Sequence, residues 1–108
     1  MEISVVNKHN IHKHPRLVRR NYIYCGRGSV LGNPFKIDKT NTRDDVVDMY
    51  KEYFYKKIED KDKDMIRQLN NIIAIGHKYG SIGLVCYCAP KRCHCDVIKE
   101  YLLEQINE

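Results

Sequence analysis

The order of segments along this chain predicts an α/β fold, a small and mainly parallel sheet with three helices in one Rossmann-like layered domain. Three observations carry that expectation. Segments of helical period separate the later apolar, strand-like ones, as parallel pairing requires. The last strand-like segment, "SIGLVCYC" at 81–88, is a nearly unbroken apolar run of the kind buried on both faces. Finally, 108 residues of which 43% are hydrophobic suit a single domain over 1–108 with one core.

Taken in order, "EISVV" at 2–6 reads as a short first strand, with β-branched Ile3, Val5 and Val6. "NYIYCG" at 21–26 is the second, with Tyr22 and Tyr24 on one face and Ile23 and Cys25 on the other. Thr42 with Asp45 three residues on is a capping pair, and Val46, Tyr50, Tyr53, Phe54 and Ile58 recur at helical spacing, so a helix is expected over 43–58. The tyrosines Tyr50, Tyr53 and Tyr55 suit a homo-oligomer contact as readily as a core. After the charged "EDKDKD", Met65, Ile66, Leu69, Ile72 and Ile73 mark a second helix over 64–78, ended near Gly80. "CHCDVIKEYLLEQINE" at 93–108 closes the chain as a third, with Val97, Ile98, Tyr101, Leu102 and Ile106 facing inward.

The formal charge is +5 and it is uneven. "NKHNIHKHPRLVRR" at 7–20 holds Lys8, Lys13, Arg16, Arg19 and Arg20 with three histidines and no acid, a basic arm that would gather polyanions, nucleic acid included. No zinc finger, helix-turn-helix or stacking motif accompanies it, which weakens a sequence-specific role. No apolar run nears the roughly 20 residues of a membrane span, and the N-terminal stretch has no secretory h-region, so a cytoplasmic protein with no membrane partner is expected. Five cysteines in a reducing compartment call for packing, metal ligation or chemistry rather than a closed set of disulfides.

In an α/β sheet, ligands collect at the carboxyl ends of strands, and two loops there qualify, expected to face each other. In "GRGSVLGNPF" at 26–35, Gly26, Gly28 and Gly32 would let backbone amides approach a ligand, Arg27 offers a guanidinium fork, and Ser29 and Asn33 add neutral hydrogen bonds. The chemistry suits an anion, although neither the P-loop nor the dinucleotide glycine spacing is present. "LVCYCAPKRCHC" at 84–95 gathers four of the five cysteines. If the strand ends near Cys88 and the helix begins near Cys93, then Pro90 fixes the turn, Lys91 and Arg92 add charge, and Cys93, His94, Cys95 and Asp96 sit at the helix N-terminus. Unpaired amides and the positive end of the dipole there favour an anion or a thiolate.

Several readings of this stretch stay open. Cys86, Cys88, Cys93 and His94, with Cys95 beside them, are soft zinc ligands, but all lie in one loop unless Cys25 joins them. Cys93, His94 and Asp96 could serve covalent catalysis, though no arginine follows Cys93 at the phosphatase spacing, where Lys99 stands instead. Small buried thiols could simply pack a strand end. An anion pocket takes the same residues without chemistry.

The pair "YCGRGSVLGNPF" and "GLVCYCAPKRCHCDVI", joined by a helical middle containing "RDDVVDMYKEYF", resembles the domain of unknown function 4326 family, small proteins of bacteria and their phages. The resemblance spans about 22–102 and carries over Gly26, Arg27, Leu31, Gly32, Asn33, Pro34, Phe35, Arg43, Tyr50, Cys86, Cys88, Pro90, Cys93, His94 and Asp96, with Cys95 where the family usually has glycine. It implies no established activity, but it does imply that the two distant loops form one unit, and it suggests a phage-encoded protein acting in a bacterial host cell. The expectation is therefore a pocket for a phosphate-bearing nucleotide or a nucleotide-derived molecule. Arg27 and Arg43 would pair with charge, amides near Gly28, Gly32 and His94 would hold oxygens, and Tyr50 would stack on a base. The alternatives are a zinc-stabilised nucleic-acid binder and a small nucleotide hydrolase using Cys93, His94 and Asp96.

Overall fold

The computed structural model describes residues 1–13, 20–89 and 91–106. The elements run β1 (Glu2–Asn7), a 3₁₀ helix (Lys8–Lys13), β2 (Tyr22–Tyr24), α1 (Arg43–Glu59), α2 (Lys63–Tyr79), β3 (Ser81–Cys86) and α3 (His94–Ile106). Among the described residues the strands form one parallel sheet in the order β1-β3-β2. The last strand thus enters between the first two, and all six of its residues are buried, which is why its sequence shows no polar alternation. It ends at Cys86 rather than near Cys88, because the chain bends at Tyr87 and Cys88.

The three helices share one hydrophobic core with one face of the sheet. Ile3, Ile23, Ile82, Leu84 and Cys86 meet Val47, Tyr50 and Phe54 of α1, Met65, Leu69 and Ile72 of α2, and Val97, Ile98 and Leu102 of α3. The helix ends follow local chemistry. Thr42 and Asp45 exchange both hydrogen bonds of a capping box, Asp62 caps α2, and Gly80 ends α2 with φ +77. On the other face of the sheet Val6 and Val85 are buried, and Lys8 Nζ of the 3₁₀ helix lies 5.5 Å from the ring centroid of Tyr22. The rest of the basic arm, 14–19, lies outside the described residues.

Within the chain the tyrosine stripe of α1 packs on the core, Tyr50 fully buried and Tyr53 and Tyr55 partly so. Tyr50 stacks on Phe54 at 5.7 Å, and Tyr53 and Tyr55 pack against the same cluster, Tyr55 edge-on to Phe54 and Tyr101. No helix among the described residues is long and apolar enough to cross a membrane.

Candidate functional site

The glycine loop leaves the carboxyl end of β2 and folds back on itself. Cys25 continues the ladder by donating to Val85 O at 2.9 Å, after which Ser29 N and Gly32 N close successive turns onto Gly26 O and Ser29 O. A Cβ on Gly32 would lie 2.5 Å from Gly26 O, so only glycine lets the two backbone segments approach this closely. Ser29 Oγ also donates to Gly26 O. The loop therefore uses up the amide of Gly32 and the hydroxyl of Ser29, both of which sequence reasoning had aimed at a ligand. Asn33 is likewise a brace, its Nδ2 donating to Val46 O at 3.2 Å and its Oδ1 accepting from Phe35 N at 2.9 Å.

Tyr50 holds this loop from beneath. Its ring is fully buried and its hydroxyl donates to Leu31 O at 2.8 Å, while burial pushes its ionisation well above the ordinary tyrosine range. It presents no surface on which a base could stack, so the expected stacking role is corrected to a structural one. The helical stripe placed Tyr50 inward correctly, and burial then required a partner for its hydroxyl.

At the end of β3 the second loop turns into α3. Cys93 is the residue before the helix, and Asp96, three positions on, accepts from Cys93 N at 2.9 Å while its own amide donates to Cys93 O at 3.0 Å. That carboxylate satisfies one of the orphan amides expected to hold an anion. Arg92, expected to add free positive charge, instead pairs with Asp44 at 3.0 Å and Asp48 at 2.9 Å on α1. Pro90 lies outside the described residues.

His94 is buried, and its Nε2 donates to the carbonyl of Cys25, tying the start of α3 to the exit of β2. A carbonyl only accepts, so Nε2 carries the proton and Nδ1 is bare. Burial holds the imidazole below its ordinary pKa, hence neutral. Of the three residues considered for catalysis, His94 thus points its Nε2 at the Cys25 carbonyl and Asp96 its carboxylate at the Cys93 amide. The Cys93 thiol itself is pushed up, chiefly because it donates to the sulfur of Cys86 3.5 Å away.

Three thiols meet here. Cys86, Cys93 and Cys95 are buried with their Sγ atoms within 4.8 Å of one another, a cluster that could hold a metal ion. The neighbouring thiols of Cys25, Cys86 and Cys93, together with burial, push the ionisation of Cys95 up. Cys86 is pulled down by hydrogen bonds from Cys93 and Cys95, with the amide of Cys88 donating to its sulfur at 3.4 Å. The cluster differs from the expected set of Cys86, Cys88, Cys93 and His94. The strand ends before Cys88, whose thiol is not in the group, and Cys95 takes its place because the first turn of α3 directs it inward.

A cleft of about 320 Å³ opens between the two loops. One side is Tyr24, Gly26, Arg27, Asn33, Phe35 and Ile37, the other Tyr87, Cys88, Cys93 and His94, with Arg43, Val46 and Val47 of α1 and Cys86 of β3 completing it. Tyr24 and Tyr87 meet edge-on at 6.1 Å, and Tyr24 folds back over Gly26, where a Cβ would strike its ring. Arg27 is exposed at the rim; Arg43 is half-buried and donates to Arg92 O at 3.4 Å. Neither guanidinium has a carboxylate partner among the described residues. Gly28, Ser29 and Gly32 line a separate shallow groove with Lys36 and Tyr53 instead.

A family profile described as Domain of unknown function (DUF4326) matches residues 7–104. The chain belongs to this family. No curated protein and no solved structure matches it. Of the expected site residues, this DUF4326 chain brings Gly26, Arg27, Asn33, Arg43, Cys88, Cys93 and His94 around one cleft. Sequence reasoning missed its apolar walls: Tyr24, Phe35, Ile37 and Tyr87. The signal for two of them lay in their position, since Tyr24 ends β2 and Tyr87 follows β3 at the carboxyl edge of the sheet; the exposure of Tyr24, Ile37 and Tyr87 is visible only in the structure.

Proposed function

We propose that the cleft binds a phosphate-bearing nucleotide or a nucleotide-derived small molecule. The observation that carries this reading is the pairing, in one cleft, of an aromatic and aliphatic wall with two guanidinium groups that lack carboxylate partners among the described residues. The volume, about 320 Å³, lies at the lower end of the range for small-molecule sites and suits one nucleoside. Tyr24, Tyr87 and Phe35 would contact the base and sugar, and Arg27 and Arg43 the phosphate oxygens, bidentate where geometry allows. Anion recognition rests on the two arginines rather than on the glycine loop, whose polar atoms are largely engaged. A reducing cytoplasm suits the free thiols, and in a phage-infected cell such a pocket would sequester or process a host signalling nucleotide.

Binding without turnover is the preferred form, since His94 and Asp96 are each committed to backbone groups. Native mass spectrometry of the protein as purified from cells, repeated after denaturation, tests the reading. A released, unaltered nucleotide-sized mass, with no such mass from Arg27→Ala or Arg43→Ala, is expected. If nothing is released and calorimetry finds no binding of AMP, ADP or ADP-ribose at about 1 mM, the reading fails.

A further inference from the structure

We propose that Cys86, Cys93 and Cys95, completed by Cys25, hold a single tetrahedral zinc-class ion beneath the cleft. The spacing of the sulfurs is the first reason. A tetrahedral ion with metal–sulfur bonds of about 2.3 Å places its ligands about 3.8 Å apart. Cys86 and Cys93 are 3.5 Å apart, and the three sulfurs of the cluster lie within 4.8 Å of one another. That spacing admits one ion and is too tight for an iron–sulfur cluster among them.

The second reason is that the donors come from different pieces of an already packed frame. Cys25 leaves β2, Cys86 ends β3, Cys93 precedes α3 and Cys95 lies in its first turn. All are at most 2% exposed, and none is in a disulfide. Packing alone calls for small apolar side chains but gives no reason for sulfurs to converge. Cys25 is the fourth donor because it is the remaining fully buried thiol and its residue is tied to the start of α3 by the hydrogen bond from His94 to the Cys25 carbonyl, a bond that also occupies His94; its sulfur, which donates to Ile23 O at 3.5 Å, turns from that carbonyl to bind. One backbone amide already points at a sulfur of the cluster, Cys88 N at Cys86 Sγ, the kind of outer bond that supports a thiolate ligand.

Soft thiolate donors with no remaining open position select zinc and make the site structural rather than catalytic. Each thiol that binds releases its proton to solvent, so uptake weakens as pH falls. The ion would lock both cleft-forming loops, since Cys25 begins one and Cys93 ends the other. The proposal stands on the sulfurs alone and not on the nucleotide reading.

The test is titration of the reduced, metal-free full chain with Co²⁺, followed by displacement with Zn²⁺. Sulfur-to-cobalt charge-transfer bands of a four-thiolate tetrahedral site, saturating at one ion per chain and lost on adding zinc, are expected. Cys95→Ser should lose the four-thiolate signature, while Cys88→Ser and Arg27→Ala keep it. Loss of nucleotide binding in Arg27→Ala with the cobalt spectrum intact separates the two proposals. Wild-type protein that stays folded and shows no thiolate charge-transfer band, or a band of fewer than three thiolates, overturns the site irrespective of how any variant folds.

Discussion

Removing one oxygen from the core should loosen the glycine loop. Tyr50→Phe keeps the ring, its stacking on Phe54 at 5.7 Å and its edge contact with His94 at 5.1 Å, so no cavity larger than a hydroxyl appears. What is lost is the 2.8 Å hydrogen bond to Leu31 O, in a place where water cannot substitute because Tyr50 and Leu31 are 0% and 1% exposed. A buried acceptor left without its donor costs about 1–3 kcal/mol. For a domain of this size each kcal/mol moves the thermal midpoint by roughly 4–8 °C, so a fall of at least about 4 °C is expected. Urea unfolding should show a lower midpoint with an unchanged slope, because the surface exposed on unfolding is the same. Hydrogen exchange supplies the local readout: the turn amides of Ser29 and Gly32, which lie on either side of the freed carbonyl, should exchange faster while those of α2 do not. A midpoint lowered by less than about 1 °C, or uniform exchange changes across the chain, would refute the assignment of Tyr50 as the loop's anchor.

Three further outcomes follow from the same geometry. His94 is held neutral by burial, so its folded pKa is depressed; the unfolded chain then binds more protons below about pH 6.5, and stability should fall as pH drops from about 7 toward 5, a slope that His94→Gln flattens in a pH series of thermal melts. Gly32→Ala should destabilise more than Gly26→Ala in urea melts, by about 1–3 kcal/mol, because the first forces a Cβ onto the backbone oxygen of Gly26 and the second only displaces the half-exposed ring of Tyr24. Arg92→Ala, although it removes two ion pairs to Asp44 and Asp48, should cost under about 1 kcal/mol and less still at high salt, since these groups are exposed and screened.

Much of the architecture was legible because it rests on local rules. Thr42 and Asp45 announced the start of α1, the 3.6-residue spacing of Met65, Leu69 and Ile72 traced α2, and the unbroken apolar run of β3 announced a strand covered on both sides. The site was legible in position but less so in role. Asn33, Tyr50 and Asp96 have the polar chemistry of binding residues, yet each is consumed by backbone groups: Val46 O and Phe35 N, Leu31 O, and Cys93 N. Composition shows that a polar atom is present. It does not show which buried partner will reach it first.

By itself, then, the sequence determined the helices, the strands, the α/β class and the two loops that matter, since period, capping and turn chemistry act between near neighbours. Only the tertiary structure decided that β3 enters between β1 and β2, that Cys25 and His94, 69 residues apart, are tied together, and that Cys95 rather than Cys88 completes the thiol cluster. Those outcomes depend on how helices pack across a sheet, where a single residue's shift in a strand end or a helix start reverses which side chains face inward.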